Sequence, residues 1–127
     1  MTNKYKKYTD EAKIYDVAKR TPLDYQALLS TRLNNQIYLK REDLQSVFSF
    51  KIRGAYNKLA HLDKKIRDKG IIAASAGNHA QGVAMAAKTL RCKATIVMPK
   101  TTPTIKTNAV RKFGAEVVLH GISLYES

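Results

Sequence analysis

The sequence predicts an α/β protein in which a parallel sheet is flanked by helices. From Ile71 onward, short apolar runs alternate with stretches of helical periodicity, in the order strand, helix, strand, helix, strand. The strand runs are almost continuously apolar, as expected for parallel strands that are covered on both faces. Because a helical connection between neighbouring parallel strands is nearly always right-handed, two βαβ units that share the middle strand are expected.

Three strands and two helices are predicted in the second half of the chain. The strands are Ile71–Ala74, Ala94–Met98 and Glu116–Leu119. The helices are expected over residues 78–90 and about 103–113, with Pro103 at a first helical position and Gly114 just past the helix end. A sheet this small has open edges and leaves apolar surface uncovered, so we expect the fold to be incomplete in this chain.

The first half of the chain carries weaker signals. Residues 10–20 predict a helix, because apolar side chains recur at helical spacing between acidic residues at the start and basic residues at the end. A short helix is expected over residues 27–33, and a strand over 36–40 with a polar loop after it. Ser49 is predicted to cap a helix that runs from residue 50 to about 62.

Composition limits the classes of function. The 127 residues are 44% hydrophobic, enough for one modest core. The net charge is +13, but the basic residues are scattered and lack interleaved aromatics, so no nucleic-acid partner is expected. No apolar run approaches the roughly 18 residues of a membrane span, so we expect no membrane partner and a cytoplasmic location. The single cysteine, Cys92, has no Cys/His cluster around it and predicts an ordinary thiol.

The most informative stretch is the turn between the first strand of the predicted sheet and the following helix. Its sequence is Ser75-Ala76-Gly77-Asn78-His79-Ala80-Gln81-Gly82. Such a turn directs unpaired backbone N–H groups and the positive end of a helix dipole at one point, where a carboxylate or phosphate is expected. An ordinary turn explains Gly77 equally well, but not His79 and Gln81 together in the first helical turn. His79 lacks a second ligand at helical spacing, so no metal site is expected.

A second candidate is Lys51, which lies among apolar residues at the start of a predicted helix. The side chains expected to exclude water around it are Val47, Phe48, Phe50 and Ile52. Desolvation and the helix N-terminus both lower the pKa of a lysine toward the range in which its neutral amine attacks carbonyls. The alternative is a solvated surface lysine. An amine and an anion site together suggest chemistry on an amino acid.

The adjacent carboxylates of Glu42 and Asp43 are a weaker candidate for acid–base chemistry. Neighbouring residues at a strand end point to opposite faces, so the two carboxylates are not expected to act as a pair. We expect them instead to cap the loop and to pair with Lys40 or Arg41.

Taken together, these motifs resemble the threonine dehydratases, pyridoxal-phosphate enzymes of the tryptophan-synthase-β-like fold (fold type II). The matching stretches are Thr21-Pro22-Leu23, Leu39-Lys40-Arg41-Glu42-Asp43, Ser49-Phe50-Lys51-Ile52-Arg53-Gly54-Ala55, the turn from Ser75 to Gly82, Ile96-Val97-Met98-Pro99 and Phe113-Gly114-Ala115-Glu116-Val117. The resemblance implies that residues 1–57 are the N-terminal part of the large cofactor-binding domain. Residues 58–127 would be most of the small α/β domain.

The resemblance also implies a role for individual residues. Lys51 resembles the lysine that bonds pyridoxal 5′-phosphate and moves the proton at the substrate Cα, and Phe50 resembles the aromatic residue beside the cofactor ring. Asn78 resembles the residue that hydrogen-bonds the 3′-oxygen of the cofactor. The residues that resemble the loop around the substrate carboxylate are Ser75, Ala76, Gly77, Asn78 and His79.

The implied activity is the deamination of L-threonine to 2-oxobutanoate and ammonia, the first step of isoleucine biosynthesis. The substrate is then a small amino acid, and a homo-oligomer is expected for the full-length protein. Serine racemases of this fold carry a serine at the position of Ala76, so the alanine favours dehydration over racemisation. Two alternatives stay open: serine dehydration by the same family, and a non-catalytic fragment that associates with an intact subunit.

Three parts of the family pattern are absent from the sequence. They are the glycine-rich loop for the cofactor phosphate, the residue for the pyridine nitrogen and the regulatory C-terminal region. In the family, all three follow the segment that this chain matches. The chain is therefore expected to be an N-terminal portion that is inactive, or nearly so, by itself.

Overall fold

The computed structural model describes residues 4–127. In chain order the elements are α1 (Lys4–Asp10), β1 (Leu23–Tyr25), α2 (Ala27–Leu33), β2 (Tyr38–Lys40), α3 (Lys51–Ala60), α4 (Lys64–Asp68), β3 (Ile71–Ala74), α5 (Asn78–Thr89), β4 (Ala94–Met98), α6 (Thr104–Arg111) and β5 (Glu116–Leu119). Single 3-10 turns lie at Ile14–Asp16 and Glu42–Leu44. Across these 124 positions, no helix has both the length and the apolar character needed to cross a bilayer.

The second half of the chain forms the predicted parallel sheet. Its strands pair in the order β3-β4-β5, with Ile71 opposite Ala94 and Thr95 opposite Glu116. The bounds of all three strands agree with the prediction, and α5 begins and ends within one residue of it. The alternation of βαβ units is thus confirmed.

Only one face of this sheet is covered. α5 and α6 contact each other and the sheet, and the core beneath them includes Ile96 and Met98 of β4. On the opposite face Ile72 and Val118 are exposed, at 74% and 39%. The expectation that the strands are buried on both faces is therefore wrong for this chain, because its helical connections pack on a single side.

The N-terminal half adds an antiparallel pair of strands. β1 was not predicted; it pairs with β2, and the rings of Tyr25 and Tyr38 lie 5.2 Å apart. The predicted strand over residues 36–40 is shortened to Tyr38–Lys40. α2 matches its prediction and ends at Asn34, whose φ of 46° is the left-handed conformation that asparagine tolerates at a helix end.

The predicted helix over residues 10–20 is wrong. α1 ends at Asp10, and side chains from distant parts of the chain bond the backbone that follows. The Lys13 N–H donates to Asn57 Oδ1 at 3.0 Å. Gln45 accepts from the Lys19 N–H and donates to the Lys19 carbonyl, both at 2.9 Å. These bonds satisfy backbone groups that a helix would otherwise pair, so after α1 only the single 3-10 turn at Ile14–Asp16 forms in this segment.

Two predicted helix starts are also displaced. Ser49 does not cap α3, which has Phe50 at its N-cap position; the buried Ser49 Oγ has no hydrogen-bond partner within the described part of the chain. Pro103 occupies the N-cap position of α6 instead of its first turn. α4, absent from the prediction, is capped by Asp63, which accepts from the Lys65 N–H at 2.7 Å.

Candidate active site

Lys51 is the first residue of α3. The helix buries one face, formed by Ile52, Ala55, Tyr56 and Leu59, against α5 and the N-terminal segment. Lys51 lies on the exposed side, and its ammonium is 5.1 Å from the centroid of the Phe50 ring. Within residues 4–127 it makes no ion pair. The amine thus has no counter-ion among these residues and lies beside an aromatic ring.

The predicted apolar enclosure of Lys51 is only half correct. Val47 and Ile52 are buried, but Phe48 and Phe50 are 77% and 58% exposed. Consecutive helical residues point about 100° apart, so the burial of Ile52 turns Lys51 away from the core. The described residues therefore do not keep the amine dry.

The start of α3 lies directly against α5. A Cβ built on Gly82 would lie 3.1 Å from both the carbonyl carbon and the carbonyl oxygen of Lys51. Gly82 follows Asn78 by four residues, which places it on the same helix face and about 6 Å along the axis. The backbone of Lys51 consequently lies about one helical turn from the beginning of α5.

The turn before α5 has the free N–H groups that the sequence predicts. Its geometry is fixed by three bonds: Ser75 N–H to the Val97 carbonyl at 3.0 Å, Gly77 N–H to Ser75 Oγ at 3.4 Å and Ala80 N–H to the Gly77 carbonyl at 3.1 Å. No acceptor among residues 4–127 bonds the N–H groups of Ala76, Asn78 or His79. With the 12-residue helix behind them, these groups have the arrangement in which helix N-termini bind anions.

The side chains of Asn78 and His79 have different surroundings. Gly77 is at the N-cap position and Asn78 is the first helical residue; its side chain is exposed, and its amide has no partner in the described part of the chain. His79 lines an apolar cavity of about 340 Å³ between α3, β3 and α5, which neither Lys51 nor Ser75 lines. His79 therefore contributes only its unbonded backbone N–H to the turn, while its side chain lines this cavity.

A partly buried ion pair that the sequence did not predict joins the Glu42 turn to the first turn of α3. Both Arg53 Nε and Arg53 Nη2 donate to the Glu42 carboxylate at 2.8 Å, and Thr21 Oγ1 donates to it at 2.6 Å. The hydrogen bonds from Arg53 lower the pKa of Glu42 to about 2. Glu42 was expected to pair with Lys40 or Arg41, which is wrong.

Asp43 behaves as predicted. Its carboxylate accepts from Arg41 Nε at 2.9 Å and from Arg41 Nη2 at 2.8 Å, at an exposed position. This bidentate pairing lowers the pKa of Asp43. The Glu42–Arg53 pair could not be recognised in the same way, because its partners are eleven residues apart and meet only through the fold.

Comparison with known proteins identifies the family. A family model described as pyridoxal-phosphate dependent enzyme matches residues 14–127. The L-threonine dehydratase biosynthetic IlvA of Pasteurella multocida is 55% identical over 123 residues, which are 97% of this chain and 24% of that protein. Threonine dehydratase 1 biosynthetic, chloroplastic, of Solanum lycopersicum is 59% identical over 116 residues, or 91% of this chain and 19% of that protein. The chain belongs to the pyridoxal-phosphate dependent enzyme family.

The fold comparison agrees with this assignment. The processed form of threonine deaminase isoform 2 from Solanum lycopersicum superimposes with a TM-score of 0.92 at 50% identity, over 99% of this chain and 36% of that chain. The predicted α/β fold of type II is thereby confirmed. The chain spans about a fifth to a quarter of the length of the curated relatives and about a third of the solved one.

The residues at the site fit pyridoxal phosphate and an amino acid. The cofactor requires a lysine for its aldehyde, and Lys51 is unpaired and beside an aromatic ring. The unpartnered amide of Asn78 suits the 3′-oxygen on the cofactor ring. The free N–H groups of the turn suit the carboxylate of an amino acid. Within the described range 4–127, no three His, Cys, Asp or Glu side chains are grouped so that they could hold a metal ion.

Proposed function

We propose that this chain carries the lysine-bearing part of the active site of a pyridoxal-phosphate-dependent L-threonine dehydratase, which converts L-threonine to 2-oxobutanoate and ammonia. The observation that carries the proposal is the contact between the start of α3 and α5. It brings the backbone of Lys51 within about one helical turn of the free N–H groups before α5. The 55–59% identity to threonine dehydratases supports the choice of substrate.

The turn from Ser75 to His79 binds the substrate carboxylate. The N–H groups of Ala76, Asn78 and His79 and the hydroxyl of Ser75 are the donors, and the dipole of α5 adds positive potential at the same point. Each hydrogen bond to a charged group contributes about 1.5–3 kcal/mol. Because these donors belong to the backbone of a helix start, they are oriented before the substrate arrives.

Lys51 carries the chemistry. Its amine would hold pyridoxal phosphate through a covalent bond to the cofactor aldehyde, and the same amine would move the proton at the substrate Cα. The cofactor would supply an electron-withdrawing ring that stabilises negative charge at that carbon. Phe50 would hold the cofactor ring, and the Asn78 amide would hold its 3′-oxygen.

Ala76 favours dehydration over racemisation. Racemisation requires a proton donor on the face of Cα opposite the lysine, and a methyl side chain cannot hold a proton. The negative charge formed at Cα is then relieved by loss of the β-hydroxyl group. Water hydrolyses the resulting enamine to the oxo acid and ammonia.

The exposure of Lys51 points to a covering part of the protein. Phe50, whose ring lies beside the amine, and the nearby Phe48 are both exposed, and apolar rings of this size are usually packed. We infer that the part of the protein that corresponds to the remaining length of the relatives packs over Lys51 and Phe50. This part would exclude water from the amine. Residues 1–57 then belong to the large cofactor-binding domain and 58–127 to the small domain, with α3 passing through the boundary.

The physiological setting forms part of the same proposal. The word biosynthetic in the names of the relatives supports a role in isoleucine biosynthesis. We infer a homo-oligomer for the full-length protein and a cytoplasmic location, although the tomato relative is named as chloroplastic. The strong positive charge is assigned to solvated surface, without a nucleic-acid partner.

A chimera tests the proposed function. Residues 1–127 replace the matching segment of the Pasteurella multocida enzyme, and release of 2-oxobutanoate from L-threonine and of pyruvate from L-serine is measured. We expect threonine to be the better substrate and Lys51→Ala to abolish turnover of both. A folded chimera without activity, or an active Lys51→Ala variant, would contradict the proposal. Faster turnover of serine would reassign the substrate.

A further inference from the structure

α3 and α5 approach each other closely at a glycine of α5. A Cβ on Gly82 would lie 3.1 Å from the carbonyl carbon and oxygen of Lys51 and 3.3 Å from the Ile52 nitrogen. These are backbone atoms at a helix start, so they cannot rotate away as the end of a side chain could. The contrast within the chain is Gly54 of α3, where a Cβ would meet nothing within 4 Å.

Both helices are locked on either side of this contact. Ile52 is buried beside it on α3, and Ala80, Val83 and Ala84 are buried around it on α5. Because such a core is close-packed, a methyl group at position 82 would have to push the two helices apart at Lys51. The first residue to move would be the one that carries the amine.

We propose that Gly82 is a positioning residue that sets the distance between the Lys51 amine and the carboxylate site. Because position 82 has no side chain, the backbone of Lys51 packs directly on α5, one turn beyond Asn78. This contact fixes the point from which the Lys51 side chain extends relative to the Ser75–His79 turn. Catalytic groups need placement to within about 0.5 Å. The catalytic importance of this distance rests on the proposed function. The contact between α3 and α5 at Gly82 does not depend on the proposed function.

Two matched substitutions separate packing from helix propensity. Gly82→Ala and Gly54→Ala both introduce a methyl group inside a helix, and propensity alone favours both. In the 127-residue chain we expect Gly54→Ala to melt at or above the parent temperature. Gly82→Ala should melt about 5 °C below it, because overpacking outweighs the gain. If Gly82→Ala fails to fold, the Gly54→Ala/Gly82→Ala double variant recovers stability for the same measurement.

A second measurement reports the position of the amine without relying on turnover. The chimera is loaded with pyridoxal phosphate and reduced with borohydride, and the pyridoxyl group on Lys51 is quantified by peptide mass spectrometry. The residue Lys58, exposed on the same helix, is the internal reference. We expect Gly82→Ala to lower the Lys51 to Lys58 ratio at least about tenfold, the loss in effective concentration expected from misplacement. Gly54→Ala should keep the parent ratio.

The outcomes distinguish the two claims. The role of Gly82 is overturned if Gly82→Ala has the same melting temperature as Gly54→Ala, or if it keeps the Lys51 to Lys58 labelling ratio of the parent. A parent chimera without preferential labelling of Lys51 contradicts the proposed function instead. In that case the melting temperatures still decide whether Gly82 is required for the contact between α3 and α5.

Discussion

At the scale of single residues, burial decides what each of two adjacent carboxylates contributes. The side chains of Glu42 and Arg53 are 15% and 19% exposed, whereas that of Asp43 is 59% exposed. Exposed ion pairs contribute little because water screens them. Removing one partner of a buried pair leaves an uncompensated charge, which is strongly destabilising. Glu42 should therefore matter far more than its neighbour.

We predict that Glu42→Gln destabilises the chain by about 2–3 kcal/mol near neutral pH. A neutral amide offers only one acceptor oxygen, so the partly buried Arg53 guanidinium loses its counter-charge and one of its two hydrogen bonds. Asp43→Asn is the matched control and should cost much less, because water screens the exposed pair that Asp43 forms with Arg41. Urea unfolding of the three proteins gives both differences, and equal losses for the two variants would contradict the assignment.

The same residue predicts a pH dependence. The pKa of Glu42 is about 2 in the folded chain against an ordinary 4.5, so the stabilisation is complete above about pH 4.5. As the pH falls from there toward 2, the unfolded chain takes up a proton that the folded chain does not, so the stabilisation is lost. The difference in unfolding free energy between the parent and Glu42→Gln should shrink over this range. If this difference in unfolding free energy were unchanged near pH 2, the charge of Glu42 would not be its cause.

Ser75 is predicted to act on substrate binding. In the chimera, Ser75→Ala should raise the KM for L-threonine about tenfold or more, because one hydrogen bond to a carboxylate is lost. The backbone N–H groups of the turn would remain. Thr89→Ala is the control, since Thr89 lies at the opposite end of α5 and bonds the Met85 carbonyl. A change in KM shared by both variants would indicate a general effect on the helix.

At the scale of elements, the strands of the parallel sheet could be predicted because their signal is local. β3, β4 and β5 are apolar runs bounded by breakers, and no distant residue changes them. The predicted helix over residues 10–20 failed for the opposite reason. Asn57 and Gln45, far along the chain, bond its backbone. Such capture depends on tertiary structure and leaves no trace in the periodicity of the segment itself.

The two faces of the sheet should respond differently to truncation. Ile96 of β4 is 0% exposed beneath the helices, whereas Ile72 of β3 is 74% exposed on the other face. We predict that Ile96→Ala costs about 2–5 kcal/mol, through lost burial and the cavity left behind. Ile72→Ala should change stability by less than about 0.5 kcal/mol. Denaturant unfolding checks both, and comparable losses would mean that Ile72 is buried in solution.

At the scale of the whole molecule, the site could be predicted as two parts but not as an assembly. The lysine and the anion-binding turn each have a local signature in the sequence. Their contact through Gly82 and the ion pair that anchors Arg53 depend on how α3 packs. The prediction that apolar neighbours exclude water from Lys51 was too strong. Residues that are adjacent in sequence do not all face the same way in a helix, so only some of these neighbours are buried.

The exposure of Lys51 predicts the behaviour of the isolated chain. Mixed with pyridoxal phosphate, the 127-residue protein should give no lasting visible absorbance that depends on Lys51, because water reaches the amine and hydrolyses its bond to the aldehyde. Lys51→Ala should give the same spectrum. A stable band that is present in the chain and absent from Lys51→Ala would show that these residues suffice to hold the cofactor.

The central claim is that the Lys51 amine and the turn before α5 serve one substrate. The most direct test loads the chimera with pyridoxal phosphate, adds an amine, reduces with borohydride and measures the pyridoxyl group on Lys51. An amine that displaces Lys51 from the cofactor lowers the amount of pyridoxyl group found on Lys51. The concentration of L-threonine that halves this labelling should be at least about tenfold below that of 1-amino-2-propanol, which lacks only the carboxylate. Equal concentrations for the two amines, or a cofactor bound to another lysine, would contradict the account.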